Sequence, residues 1–279
     1  MRPKVAIIGV GLLGGSIALG LRKRGGFRLV GWNHRASSRK KAAKLLPVAT
    51  SFEEAVKDSD IVLLCAHSSA IGEELRRIPA ISKRRVLIMD VSSVKGGIVA
   101  AARNVPGIAR HFVPCHPMAG KERSGPAHAD ADLYRGKTLF ITPLRGTPRA
   151  LVRKAEAFWR ILGALPCKLD PERHDRVVAM TSHLPHLLAS AMMALYGEKG
   201  GNPAFARAIG SGFRDFTRIA GGNPTMWRDI VEMNHKEIER ALRGYKRILG
   251  SMERNLKSGK GAYWNDFFGK AKRRREKLP

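Results

Sequence analysis

The amino-terminal stretch MRPKVAIIGVGLLGG contains the feature that most restricts the fold of this chain. The strand-like run KVAII leads directly into GVGLLG at residues 9–14, and the helical sequence GSIALGLRKRG follows. Glycines at this spacing allow a tight turn, let the backbone approach a pyrophosphate and let the helix pack closely on the strand. The helix N-terminus then faces the negative charge of the phosphates. The sequence therefore predicts a dinucleotide-binding turn whose contacts to the cofactor come from Gly9, Gly11, Leu12, Leu13 and Gly14.

Short apolar runs alternate with helical patterns as far as residue 170. The strand candidates are KVAIIGV, RLVGW, DIVLLCA, RVLIMDV, HFVPCH and KTLFITP, and this alternation predicts βαβ units with a mainly parallel sheet. Beyond Asp170, a predicted helix N-cap followed by Pro171, only helical spacing remains. The sequence thus predicts an α/β fold: an N-terminal Rossmann-type doubly wound domain over residues 1–170, followed by an all-α dimerisation domain over residues 171–279.

A long amphipathic helix is predicted in the second half, from Asn223-Pro224 to about residue 256. Its apolar positions follow a three-four repeat that forms one continuous seam. A helix of this length is more easily buried between two copies than within a segment of about 110 residues, so we expect a homodimer built through the C-terminal helices. The seam consists of Trp227, Ile230, Val231, Ile238, Leu242, Tyr245, Leu249 and Met252.

The charge balance raises a non-enzymatic alternative. The chain carries 51 Lys and Arg against 23 Asp and Glu, a formal net charge of +28, and such a surface attracts polyanions, nucleic acid included. The basic residues are nevertheless spread along the chain, and only the tail KAKRRREKLP forms a dense block. This distribution favours a solvated surface that also attracts anionic metabolites, with nucleic acid bound only nonspecifically if at all.

We expect a cytoplasmic protein without membrane contact or a bound metal. The N-terminus has no cleavable signal pattern, and no apolar run approaches the roughly 20 residues needed to cross a bilayer. The three cysteines, Cys65, Cys115 and Cys167, form no CxxC pair. Their spacing therefore suggests neither a disulfide framework nor a zinc site.

The second predicted strand ends in GWNHRASSRKKA, where an NAD-specific site usually carries Asp or Glu for the ribose hydroxyls. Here that position is Asn33. Donors and positive charges follow it, and such a set suits the 2′-phosphate of NADP, although a basic loop in a basic protein is the alternative interpretation. Because the carboxylate is missing and cations are present, we predict NADP, with NAD as the alternative, bound by Asn33, His34, Arg35, Ser37, Ser38 and Arg39.

Four further motifs follow in order along the chain: DVSSVKG from Asp90, HPMAGKE from His116, SHLPH from Ser182, and GFRDFTRIAGGNPTMWRDI from Gly212. Together with the glycine-rich turn, they resemble the prephenate/arogenate dehydrogenase family of tyrosine biosynthesis over nearly the whole chain. The resemblance implies oxidative decarboxylation of prephenate to 4-hydroxyphenylpyruvate with hydride transfer to NADP(+). Arogenate, or both substrates as in a cyclohexadienyl dehydrogenase, is the alternative.

The resemblance also implies roles for particular residues. The catalytic histidine of the HPxAG motif corresponds to His116, and a neutral imidazole suits a base because its ordinary pKa is about 6.5. The serine of the SVKG motif, which hydrogen-bonds that histidine or the substrate hydroxyl, corresponds to Ser93. The arginine of the FRDxTR motif, which holds a substrate carboxylate, corresponds to Arg218. Further contacts to the substrate are implied for Ser182, His186, Glu122, Trp227 and Lys121.

Lys121 departs from the family pattern, because many members carry a small hydroxyl residue there. It could add an anion contact or point to solvent, and with His186 and the net charge it favours prephenate, the more anionic substrate. We expect His183 to be a hydrogen-bonded helix-packing residue. The other histidines, His67, His111, His128 and His174, are expected to be non-catalytic, with His174 at most at the rim of the site.

A second enzyme class, the β-hydroxyacid dehydrogenases, shares the glycine-rich turn. That class predicts a catalytic lysine in the helical domain and gives no reason for the HPMAG and SHLPH motifs. A nucleic-acid-binding protein would account for the charge and for none of the motifs.

Overall fold

The computed structural model describes residues 2–81, 86–121, 123–198, 203–259 and 261–278. The amino-terminal half alternates strands and helices as the sequence predicts. In chain order it contains β1 Lys4–Ile8, α1 Leu12–Arg24, β2 Arg28–Trp32, α2 Ala36–Ala42, α3 Phe52–Val56, β3 Ile61–Leu64, α4 Ile71–Ile81, β4 Leu87–Asp90, α5 Gly96–Arg103, β5 Phe112–Val113, β6 Cys115–Pro117, β7 Thr138–Ile141, α6 Arg149–Ile161 and β8 Leu165–Lys168.

The main sheet is five-stranded and parallel, with the order β2-β1-β3-β4-β5. Successive side chains of a strand point to opposite faces, so a strand covered on both faces is apolar throughout. Val5 and Ile7 of β1 pack on one face with residues of α1 and α6. Ala6 and Ile8 pack on the other face with residues of α3, α4 and α5. The prediction of a doubly wound Rossmann-type domain is confirmed.

The prediction of six strands in this half was wrong, because the described residues form eight strands in two sheets. The run HFVPCH divides at Pro114 into β5 and β6, since proline has no N–H with which to continue a ladder. β6 joins a separate sheet of order β6-β7-β8, antiparallel to β7, and β7 runs parallel to β8. β8 was not predicted, because its sequence LPCK is short, mostly exposed and contains Pro166.

The second half is helical throughout its described residues. Asp170 caps the first helix by accepting a hydrogen bond from the Arg173 amide at 2.7 Å, and Pro171 occupies its first position, both as predicted. The elements are α7 Pro171–Val178, a π-helical turn Ala179–His183, α8 Leu184–Glu198, α9 Pro203–Arg207, α10 Ser211–Thr217, α11 Pro224–Met233, α12 His235–Ser258 and α13 Gly261–Arg275.

The single long helix predicted from Asn223 to about residue 256 is divided at Asn234. Asn223 does cap α11, accepting from the Met226 amide at 3.1 Å. Asn234, however, has non-helical φ and ψ of −115° and 23°. Its buried side chain instead donates to the main-chain oxygen of Asp175 at 2.9 Å and contacts Nδ1 of His183 at 3.1 Å. These tertiary hydrogen bonds interrupt a helix that the apolar spacing alone would continue.

Apolar side chains remain exposed on the helical half. Leu242 and Leu249 of the predicted seam are 37% and 44% exposed, and Met192 and Leu195 of α8 are 39% and 53% exposed. By length and composition the stretch Pro171–Glu198 could cross a membrane. It packs against α5, α10 and α12, so its inner face belongs to the protein interior, and its exposed residues extend the apolar surface that the dimer prediction requires.

Candidate active site

The glycine-rich turn has the geometry of a phosphate cradle. Gly9 has φ of +95°, and a Cβ there would lie 2.5 Å from the Ala66 nitrogen. A Cβ on Gly14 would meet the carbonyl oxygen of Gly9, whereas a Cβ on Gly11 would have no heavy atom within 4 Å. Gly9 and Gly14 therefore close the turn, and Gly11 leaves open space in front of the backbone. The first turn of α1 contains no acidic residue, so its N–H groups can face a pyrophosphate.

The loop after β2 is organised by Asn33 and Arg39. Oδ1 of Asn33 accepts a hydrogen bond from the Val10 amide at 3.1 Å, which ties this loop to the glycine-rich turn. Nη1 of Arg39 donates to the main-chain oxygens of Asn33 and His34 at 2.9 and 2.8 Å. Arg35 is exposed at the start of α2. Asn33, His34 and Arg35 thus form a loop next to the phosphate cradle, and Ser37, Ser38 and Arg39 follow it in α2.

His116 lies on β6, opposite Phe140 of β7. It is only 6% exposed. Burial, followed by the neighbouring His174 and Lys95, lowers the pKa of His116 well below its ordinary value of 6.5. The ring is therefore neutral at neutral pH and can accept a proton.

Two residues of α7 continue from His116 into the protein. Nδ1 of His116 lies 2.9 Å from Nε2 of His174, and Nδ1 of His174 lies 2.8 Å from Oδ1 of Asp175. His174 is 0% exposed. The expectation that His174 lies at most at the rim was wrong: it is buried directly behind His116.

A buried ion pair supports the strand that carries His116. Nζ of Lys95 lies 2.5 Å from Oδ2 of Asp90 and donates to the main-chain oxygen of Cys115 at 2.6 Å. Oδ1 of Asp90 accepts from the Cys115 amide at 2.9 Å. Both charged side chains are fully buried. Ser93, predicted to be catalytic, lies between Asp90 and Lys95 in sequence and is partly buried. No described hydrogen bond joins it to His116.

The helical half contributes a second group of rings. His186 stacks on Trp227, with ring centroids 3.5 Å apart and planes at 10°, and Gly222 leaves room for that stack because a Cβ there would lie 2.5 Å from the Trp227 nitrogen. His183 is held by Asn234, as a helix-packing residue should be. Its Nε2 is nevertheless buried without a hydrogen-bond partner among the described residues. Burial lowers the pKa of His183 to about 4. Ser182 is partly buried beside it.

A basic cavity of about 570 Å³ lies between the loop after β6 and the 3₁₀ turn Arg218–Gly221. It brings Arg218 together with Lys121, residues almost a hundred positions apart in sequence. Lys121 is exposed, and its Nζ lies 3.0 Å from Oδ2 of Asp130. Glu122 lies outside the described residues. The cavity is lined by Lys121, Arg123, Ala127, His128, Ala129 and Arg218.

Four functional candidates were missed from sequence. Lys95 lies in the DVSSVKG motif, which does not indicate its burial, and Asp175, Asn234 and Arg123 lie outside every motif. Only the folded chain brings Asp175, 80 positions away, onto the amides of Lys95 and Gly96. Arg123 belongs to the same class, since nothing in the sequence places it opposite Arg218.

Comparisons with known proteins identify the family of this chain. Residues 17–166 match the profile of the prephenate dehydrogenase nucleotide-binding domain, and residues 170–270 match that of the prephenate dehydrogenase dimerization domain. The cyclohexadienyl dehydrogenase of Zymomonas mobilis is 30% identical, over 97% of this chain and 94% of its own. The prephenate dehydrogenase of Bacillus subtilis is 32% identical, over 85% of this chain and 66% of its own.

Solved structures show the same relationship. Prephenate dehydrogenase from Aquifex aeolicus, crystallised with hydroxyphenyl propionate and NAD+, superposes with a TM-score of 0.91 at 29% identity, over 100% of this chain and 99% of that one. Arogenate dehydrogenase from Synechocystis gives a TM-score of 0.81 at 25% identity, over 98% and 99% of the two chains. A 3-hydroxyisobutyrate dehydrogenase shares only the fold, with a TM-score of 0.53 at 16% identity over 85% and 94%. This chain belongs to the prephenate dehydrogenase family of nicotinamide-dependent oxidoreductases.

Proposed function

We propose that this chain converts prephenate to 4-hydroxyphenylpyruvate with NADP as the preferred hydride acceptor, in the cytoplasm and as a homodimer. The observation that carries this proposal is His116: a buried, neutral histidine, hydrogen-bonded on its Nδ1 side. The chain belongs to a family of nicotinamide-dependent oxidoreductases, and its glycine-rich turn fits the pyrophosphate of such a cofactor because Gly11 leaves the backbone open.

The ring hydroxyl of prephenate must lose its proton as the carbinol carbon is oxidised. A bound nicotinamide supplies the hydride acceptor for that carbon. His116 takes the hydroxyl proton, and a positioned base of this kind contributes ~10²–10⁴-fold in rate. The resulting ring ketone accepts the electron pair of the breaking bond to the ring carboxylate, so CO2 leaves and the ring becomes aromatic. His116 then returns its proton to the phenolate oxygen, which regenerates the neutral base.

Substrate recognition is assigned to the basic cavity and the stacked rings. Prephenate has two carboxylates, and Arg218, Lys121 and Arg123 can face one of them across the cavity. His186 on Trp227 presents a partly apolar surface for the rest of the substrate, and Ser93 is assigned to the ring hydroxyl. Arogenate, whose side chain carries an amine beside its carboxylate, would bring a positive charge toward a cationic wall. The cavity therefore favours prephenate.

Replacing Arg218 with Ala is expected to raise the KM for prephenate about 10–100-fold, because one charge-assisted contact contributes roughly 1.5–3 kcal/mol. Arg214→Ala is the matched control, since its guanidinium donates to the main-chain oxygen of Ile209 at 2.7 Å instead. Steady-state kinetics at saturating cofactor measures both variants. An unchanged KM in the Arg218 variant would assign the carboxylate contact elsewhere.

The choice of NADP rests on the loop after β2. Oδ1 of Asn33 is occupied by the Val10 amide and carries no charge that would repel a 2′-phosphate. Arg35 is exposed beside it, and Arg39 is held against the loop backbone with its charge retained. The absence of a repelling carboxylate and the presence of cations both favour NADP over NAD.

We expect NADP to be preferred over NAD in kcat/KM by roughly 10–100-fold, the effect of one charge-assisted contact. The double variant Asn33→Asp with Arg35→Ala should move the preference toward NAD, while the new carboxylate can still accept from the Val10 amide. Arg145→Ala, on a surface turn, controls for loss of charge alone. A wild-type preference for NAD would mean that this loop does not bind the 2′-phosphate.

The proposed function is tested by kcat/KM for the four pairings of prephenate or arogenate with NADP or NAD. We expect the highest value for prephenate with NADP. A higher value for arogenate would replace the substrate assignment, and no turnover with either substrate would reject the proposed function.

A further inference from the structure

The hydrogen bonds behind His116 form a continuous buried chain. Nδ1 of His116 contacts Nε2 of His174 at 2.9 Å, and Nδ1 of His174 contacts Oδ1 of Asp175 at 2.8 Å. The Asp175 carboxylate also accepts from the main-chain amides of Lys95 at 2.8 Å and Gly96 at 2.7 Å. Asp175 is thereby fixed to the amino-terminal end of α5, although it belongs to α7.

The positions of the protons in this series of hydrogen bonds follow from the Asp175 carboxylate. A carboxylate has no proton to donate, so the donor to Asp175 is the Nδ1–H of His174. Burial lowers the pKa of His174 below its ordinary value, so its ring carries one proton and its Nε2 is an acceptor. The 2.9 Å contact then requires His116 to donate from Nδ1. Nε2 of His116 is left unprotonated, and no described residue hydrogen-bonds to it.

We propose that His174 and Asp175 are positioning residues that hold His116 in the tautomer whose Nε2 accepts the substrate proton. This inference rests on the proposed function of His116 as the base. When His116 becomes an imidazolium, its Nδ1–H still donates to His174. The negative carboxylate of Asp175 lies on the other side of His174. The pair thus fixes the orientation of the ring before proton transfer and stabilises its charge afterwards.

Two features of the fold hold Asp175 in this position. A Cβ on Gly96 would lie 2.8 Å from Oδ2 of Asp175, so glycine there lets the carboxylate reach the helix end. Asn234, by donating to the main-chain oxygen of Asp175 at 2.9 Å, fixes the same residue from the break between α11 and α12. The charged and titratable groups around His116 are His174 and Asp175 from α7, His183 from the π-helical turn, and Lys95 and Asp90 from the segment at the end of β4.

A pair of variants at His174 separates positioning from packing. His174→Phe keeps a ring beside Phe140, whose centroid lies 5.3 Å away, but has no acceptor for His116. His174→Gln keeps an acceptor, because its side-chain oxygen can replace Nε2. We expect kcat to fall at least ~10-fold further in the Phe variant than in the Gln variant, the effect of losing a hydrogen bond to a charged group. The KM for prephenate and the Kd for cofactor should change little in either.

The pH profile supplies a readout that packing alone would not move. Losing an acceptor disfavours the imidazolium form, so the acidic limb of kcat/KM should shift to lower pH in His174→Phe, by about one unit.

Asp175→Asn should lower kcat by at least ~10²-fold. An amide at this position lets His174 reverse its tautomer and donate to Nδ1 of His116, which places the His116 proton on Nε2.

Nitrogen NMR of the histidine rings, assigned with the His116→Asn variant, tests the tautomer without any turnover. We expect Nδ1 of His116 to be protonated and Nε2 bare in the wild type, and a mixture of the two in His174→Phe. Equal losses in the Phe and Gln variants with an unmoved pH limb, or a wild-type His116 protonated at Nε2, would overturn the proposal. Failure of the wild type to oxidise prephenate would reject the proposed function and leave this NMR test to decide the tautomer.

Discussion

Replacing His116 with Asn is expected to lower kcat at least ~10²-fold while leaving the affinity for cofactor unchanged, because the change removes the base and keeps the pocket. The ring is buried and its pKa lies well below 6.5, so the wild-type base is already neutral at neutral pH. Asparagine can still donate to His174 but cannot take a proton. Steady-state kinetics together with a binding titration of the cofactor checks both parts.

The pH dependence has a definite sign. A base with a lowered pKa loses activity only when the pH falls through that value, so kcat/KM should stay flat through neutrality and decline well below pH 6.5. His111→Asn is the control: His111 lies at the amino end of β5, where its Nδ1 is 3.4 Å from the main-chain oxygen of Val86. Near-normal turnover in His116→Asn, or an equal loss in His111→Asn, would contradict the role of His116.

Replacing Lys95 with Met should lower the free energy of unfolding by about 3–5 kcal/mol, since breaking one side of a buried ion pair leaves an uncompensated charge. Lys95 and Asp90 are both fully buried, so Asp90 loses its cationic partner. The main-chain oxygen of Cys115 loses its donor as well. Because Cys115 directly precedes His116, we expect kcat of the Lys95→Met variant to fall along with its free energy of unfolding. Urea unfolding followed by circular dichroism measures the first effect.

Lys23→Met is the matched control for that experiment. Lys23 also pairs with an aspartate, Asp132, at 2.6 Å, but the two side chains are 58% and 42% exposed. Exposed pairs contribute about 0–1 kcal/mol, so this variant should unfold close to the wild type. If Lys95→Met unfolds no more easily than Lys23→Met, the buried pair does not support the strand that carries His116.

The parts of the fold predicted from sequence are those governed by local patterns. The glycine-rich turn, the apolar strands of the parallel sheet and the caps at Asp170 and Asn223 each depend on residues within a few positions of one another. Pro114 explains the split between β5 and β6, but the apolar pattern of HFVPCH did not predict it. The break at Asn234 is set by hydrogen bonds to Asp175 and His183, more than 50 positions away, and the apolar spacing carries no trace of it.

The same distinction holds for the site. His116, Arg218 and His186 were identified because they lie in motifs with a family resemblance, and Trp227 was found to stack on His186. The sequence could not indicate a role for His174, because a histidine on a helix gives no indication of what it faces. Its contact with His116 joins a strand to a helix 58 positions later. The burial of Lys95 could not be predicted, because it follows from the packing around the side chain, and lysine as a residue type favours the surface.

The most direct measurement combines the purified chain with prephenate and NADP and determines all products. Oxidative decarboxylation predicts one 4-hydroxyphenylpyruvate and one CO2 for each reduced cofactor, with all three lost together in His116→Asn. Reduced cofactor without CO2, or no reduction of either NADP or NAD, would contradict the assignment of this chain as a prephenate-oxidising enzyme.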